Sequence, residues 1–286
     1  QVFVDLADDQ IGRTRYELAP EDSFDFFPEW KVKEREWLAE QGAAFVSIVS
    51  QSPDLLKGID SKRIATFQRA AGTALNKYRQ YVQSDKISWT VIASPSEAWA
   101  EKVFPNLPKE KQVDALWDAI FKATRSDLDN PVEAWTKHND TLHEKVHYLN
   151  AKKYAKLHYT APGTDLTIEL PKGHLWCGAG SVNEKGEEFM ANMPTEEVFT
   201  VPHKDGVNGY VSSTKPLSYG GNIIDNFKIT FENGRITKVE AEQGEEVLKN
   251  LVATDEGSHR LGGVALVPHD SPISNSCLLF YNTLFD

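Results

Sequence analysis

His143-Glu144-Lys145-Val146-His147 is the most recognisable chemical pattern in the chain. On a helix, histidines four residues apart stand one turn apart and can both reach a zinc ion, with the glutamate as general base. The site needs a third ligand. Asn150 stands where the extended motif has glycine, and Lys153 stands where it has histidine. Glu169 offers a carboxylate at longer spacing, but within a segment that alternates like a strand. Helical phase argues the same way, because Trp135, Leu142, Val146 and Leu149 form the apolar stripe and leave both histidines on its flank beside lysines. His143 and His147 are therefore expected at the surface or its rim, without a metal.

Glu196-Glu197 is a quieter pattern. It follows Met193-Pro194-Thr195 and precedes Val198-Phe199-Thr200. Paired glutamates between a turn and a β run can aim one carboxylate inward as a metal ligand. A carboxylate can also bridge two ions about 3.5–4 Å apart, a layout that activates water for hydrolysis. The pair alone is weak evidence for metal and better suits a solvated or capping carboxylate. His203, His259 and His269 lie near turns with no ligand spacing to one another. His174 precedes Cys177 by three, which on a strand puts the two on opposite faces. Cys177 and Cys277 are expected as packed, inert thiols, and two cysteines so far apart make no disulfide framework.

The elements that position these residues belong to a chain of 286 residues, about two domains' worth. With 42 acidic against 31 basic residues the net charge is −11, which repels phosphate backbones and argues against nucleic acid. No apolar run approaches the roughly 20 residues of a membrane span. The first residues lack the basic and apolar regions of a signal peptide, so a cytoplasmic location is expected.

The first half alternates short β runs with helical patterns. Val2–Leu6, Ala44–Val49 and Trp89–Ala93 read as strands, and Glu29–Gln41 reads as a helix. Ile64, Phe67, Ala71, Leu75, Tyr78 and Tyr81 mark one helix with a buried stripe, opening near Ser61. Strands separated by helices argue for a parallel, helix-covered sheet. Two further helices follow, the second with Pro131 in its first turn. After about Leu157 the texture changes: Leu166, Ile168 and Leu170 alternate, as do Phe227, Ile229 and Phe231 before an Asn233-Gly234 hairpin signal. Ile236 and Val239 break the alternation on the return strand, which predicts a bulge. A short helix over Glu245–Val252 and a buried strand over Val264–Val267 complete the pattern. The expected fold is an α/β domain over residues 1–158 and a β-rich α+β domain over 159–286.

Five segments of the second half carry a family likeness. They are Thr160–Ile168, Asn192–Thr200, Arg260–Pro268, Asp270–Ser276 and Leu279–Asp286, in that order. Together they resemble the thermophilic-type metallo-aminopeptidase family of aminopeptidases T and S and PepS, closely from about His158 onward and loosely before it. The resemblance implies a cytoplasmic, homodimeric exopeptidase that takes peptide substrates and releases their N-terminal residues with two divalent metal ions, zinc, cobalt or similar. It carries one metal ligand directly onto this chain, Glu197. The family's bridging glutamate falls at Gly263, and its histidines, aspartate and catalytic tyrosine lie downstream of the segment matching Asn282–Asp286. A βα unit of the family likewise precedes the segment matching Val2–Leu6. The chain is thus expected to be a fragment, inactive or incomplete by itself, with weak metal binding or none. Glu197 and Gly263 should lie close in space on an inner wall. The alternatives are a degenerate relative that binds peptides or partners, and a mononuclear zinc protease using His143, Glu144 and His147.

Overall fold

The computed structural model describes residues 1–219 and 221–286. Contacts divide the chain into two compact units, residues 1–120 with 180–193 and residues 121–179 with 194–286. This differs from a single boundary near residue 158, which marks a change of secondary-structure type. The helix before that point packs with the strands after it.

The first unit is built around a parallel pair, Phe45–Val49 with Trp89–Ala93, in register from Phe45 against Trp89 to Val49 against Ala93. On the other edge of Trp89–Ala93, Val91 donates to the Ala191 carbonyl and accepts from Met193, so residues 191–193 extend the sheet. Helices Glu29–Glu40, Ser61–Ala74 and Asn76–Gln83 belong to this unit. The expected single helix breaks in two at Leu75, and its apolar stripe is only half buried. Its N-cap is Asp60, one residue before Ser61, whose carboxylate accepts from the Lys62 amide at 2.8 Å.

Val2–Leu6 does not form the expected strand. Val2, Val4 and Leu6 are exposed, and only Phe3 leans on another ring, that of Trp37. A β-branched run becomes a strand only where a neighbour takes its ladder hydrogen bonds, and among the described residues none pairs with it.

The second unit holds helix Pro131–Lys152 against antiparallel strands. Asn130 caps this helix by accepting from the Glu133 amide, and Pro131 occupies the first turn, where its missing N–H costs nothing. Leu142 and Leu149 face a core of Leu166, Ile168, Trp176, Val207 and Phe231, with Val146 packed beside it. Asn222–Glu232 and Arg235–Gln243 form the expected hairpin. Asn233 and Gly234 both have positive φ (48° and 78°), as a type I′ turn requires. The ladder shifts register after Thr230, which is the expected bulge. The fold is an α/β domain with a parallel sheet and covering helices, joined to a β-rich α+β domain.

A smaller antiparallel sheet of the second unit orders Val264–Leu266, Val198–Thr200 and Cys177–Gly178 side by side. Its register pairs Val264 with Thr200, Leu266 with Val198 and Cys177 with Phe199. This sheet carries Glu197.

Candidate metal site on the small sheet

Alternation decides which side chains this sheet offers. Val198, Thr200 and Val264 are buried against the core. By the period of two, Glu197, Phe199 and Val201 point to the opposite face, as do Gly263, Ala265 and Val267 on the neighbouring strand. That face is open, with Phe199 44 % and Val201 53 % exposed. Gly178 lets the strands approach: a Cβ there would stand 2.6 Å from the Glu197 carbonyl oxygen, and its φ of 151° suits glycine.

Glu197 is half buried, and no hydrogen bond or ion pair to its carboxylate occurs among the described residues. Burial raises its pKa above the ordinary glutamate range. A desolvated carboxylate without a counter-charge is the donor a divalent cation suits.

Its neighbour Glu196 faces inward and is fully committed. Arg125 donates to both of its oxygens, at 2.5 and 3.0 Å. Arg125 also donates to His138 Nδ1 at 3.3 Å, and His138 Nε2 stands 2.7 Å from the Thr195 carbonyl. A guanidinium can only donate and a carbonyl can only accept, so these contacts select the neutral Nε2–H tautomer of His138. Trp135 completes the cluster by donating from Nε1 to the Thr124 carbonyl at 2.6 Å. The sequence singled out neither Arg125 nor His138, and it marked Glu196 only as a partner of Glu197. Arg125 and Glu196 are 71 positions apart, and no local signal joins them.

Glu197 and Gly263 share a face, but they are not close. Continuing the register sets Glu197 opposite Val267 and Gly263 opposite Val201. Four positions of ladder separate them, about 13 Å at roughly 3.3 Å per residue. The expected shared wall is therefore corrected to two ends of one sheet face, because the pairing staggers the two segments, and this spacing does not support a metal pair shared by positions 197 and 263.

The histidine pair behaves as its helical phase implies. His147 is exposed, His143 lies at the rim, and the rings stack with centroids 6.2 Å apart. Glu144 and Glu169 are exposed. Both cysteines contradict the packed-thiol expectation. Cys177 lies exposed on the open sheet face, and Cys277 is exposed at the left-handed C-cap of helix Pro272–Ser276. An apolar run beside a cysteine does not bury it when the cysteine is the residue that turns the chain. His174 sits in a turn, its Nδ1 3.0 Å from the Pro171 carbonyl, and His203 Nδ1 accepts from the Asp205 amide.

Among the described residues, no group of three or more His, Cys, Asp or Glu side chains is placed to hold an ion. Glu197 fits one coordination position. The residues present do not complete a metal site.

Residues 1–286 match the family described as Thermophilic metalloprotease (M29). The chain belongs to this family. It is 66% identical over 285 residues to aminopeptidase AmpS of Bacillus subtilis, covering 100% of this chain and 70% of that protein. It is 42% identical over 279 residues to aminopeptidase T of Thermus thermophilus, covering 98% and 68% respectively. The solved structure of wild-type AmpT from Thermus thermophilus superposes with a TM-score of 0.91 at 40% identity, over 99% of this chain and 70% of that one. The M29 likeness thus spans both units, including the first half, where the sequence resemblance was loose. No helix among the described residues is long and apolar enough to cross a membrane.

Proposed function

We propose that this protein is a metal-dependent aminopeptidase that releases N-terminal residues from peptides, and that Glu197 is one of its metal ligands. The observation that carries the ligand reading is the half-buried carboxylate of Glu197, which lacks a counter-charge while its neighbour Glu196 is fully paired. Membership of a metalloprotease family and relatives named aminopeptidases support the activity. A pair of zinc or cobalt ions, a homodimer and a cytoplasmic location are readings carried by the family resemblance. The chain's own donors supply one carboxylate to such a pair.

The bound metal would supply Lewis-acid chemistry at the peptide carbonyl. This chain's residues hold and aim the carboxylate, and the open face around Phe199 and Val201 offers apolar surface beside it. With Gly263 where the family resemblance sets a bridging glutamate, these 286 residues hold metal weakly and turn over slowly. That same glycine favours, as a second reading, a degenerate relative that binds peptides without cleaving them.

The test is release from amino-acid p-nitroanilides with added cobalt or zinc. Turnover should need metal, disappear in chelator and in Glu197→Gln, and run far below that of the Thermus thermophilus aminopeptidase T. Metal-independent turnover, or turnover that survives Glu197→Gln, would contradict the assignment.

A further inference from the structure

The register of the segment Thr195–Val201 leaves its larger apolar side chain, Phe199, and Val201 outside. Burying the odd-numbered positions would hide Phe199 and Val201. Instead the even-numbered positions are inside, so that Glu196 and Thr200 are buried beside Val198 while Phe199 and Val201 stay exposed. A slip of one residue exchanges the two faces of a strand, and here it would bury Phe199 and Val201 in exchange for Val198. Polar bonds help hold the observed register.

The bonds that do so are on the inner side. Arg125 holds both oxygens of Glu196, His138 holds the Thr195 carbonyl, and Thr200 donates to the Leu175 carbonyl at 2.7 Å. Arg125 occupies a costly backbone position. It follows helix Lys109–Ala123 in the left-handed region with φ of 58°, where glycine would be at ease. Its amide bonds to the Lys122 carbonyl, and the next amide to the Phe121 carbonyl. A non-glycine residue tolerated there points to a use for its side chain.

We infer that Arg125 is a positioning residue for Glu197: by holding Glu196 inside, it sets the strand register that presents Glu197, Phe199 and Val201 on the open face. Local rules broken together at one place mark a site rather than a packing solution. The inference rests on the reading of Glu197 as a metal ligand for its purpose, but not for its geometry. In a slipped strand Glu197 would be directed at Arg125 and neutralised, and Glu196 would face solvent.

The register can be read without metal. In a Cys177→Ser/Cys277→Ser background, Glu197→Cys and Val198→Cys are made in separate chains and reacted with a thiol reagent well below the melting temperature. Position 197 should react at least about tenfold faster than position 198, because only one face of the strand is open. Adding Arg125→Ala should shrink that contrast to within about twofold, and Arg125→Lys, which keeps a cation but loses the two-pronged geometry, should restore part of it. If Arg125→Ala does not fold, Arg125→Gln poses the same question with the bulk retained. An undiminished contrast in a folded Ala or Gln variant would overturn the proposal. So would a lysine variant no better than alanine, or an equal rise at both positions, which is general loosening. Cobalt uptake by the otherwise unaltered chain and by Glu197→Gln separates the two ideas. Equal uptake with a lost labelling contrast would sink the ligand reading and leave the positioning role intact.

Discussion

Arg125 and Glu196 form a two-pronged ion pair, 2.5 and 3.0 Å between nitrogen and oxygen, with side chains only 15 and 5 % exposed. Two buried charges satisfy each other, and removing one strands the other. Arg125→Ala should therefore destabilise the fold by about 3–5 kcal/mol, far more than loss of a surface pair. Urea denaturation checks this, and a loss below about 1 kcal/mol, the scale of exposed pairs, would show that the two charges are not desolvated.

Glu197 makes the opposite prediction. Its folded pKa is raised by burial, so the folded state is penalised once the carboxylate ionises. Stability from this group is fully present below the unfolded glutamate pKa and is lost as pH rises through the raised folded value. Glu197→Gln should thus melt higher than the parent near neutral pH without metal, and the gain should vanish in acid. Thermal melts across that range decide it; a variant that melts lower at neutral pH would reveal a partner for the carboxylate.

His143→Ala and His147→Ala should leave metal uptake unchanged and shift stability by no more than about 0.5 kcal/mol, as rim and surface substitutions do. Their stacked rings have no third ligand among the described residues. Loss of a bound ion in either variant, measured by elemental analysis, would revive the zinc-protease alternative.

Two glycines on the small sheet should respond differently. Gly178→Ala drives a Cβ to 2.6 Å from the Glu197 carbonyl oxygen and should cost about 1–3 kcal/mol, the range for a strained backbone position. A Cβ at Gly263 meets nothing nearer than the Thr200 carbonyl at 3.9 Å, and Gly263→Glu should fold within about 0.5 kcal/mol of the parent. It should not by itself raise turnover to that of the Thermus thermophilus aminopeptidase T. Comparable destabilisation of the two variants, by calorimetry, would contradict the packing described.

Much of the scaffold was readable because its signals are local. Leu166, Ile168 and Leu170 alternate where one strand face meets the core, and Asn233-Gly234 supplies the two positive φ angles its turn needs. Val2–Leu6 misled because strand propensity says nothing about a partner. Glu197 was picked out by resemblance, whereas Arg125 and His138 were invisible, since their contacts span 71 and 57 positions. The nearness of Glu197 and Gly263 failed on a quantity no single segment encodes, the stagger between paired strands.

The central claim is that Glu197 is a metal ligand in a chain whose other donors are too few. Equilibrium dialysis against cobalt, with the unaltered chain, Glu197→Gln and His143→Ala side by side, tests it directly. Weak uptake by the unaltered chain, abolished in Glu197→Gln and unchanged in His143→Ala, is the predicted result. Two tightly held ions in the unaltered chain, or uptake indifferent to Glu197→Gln, would contradict it.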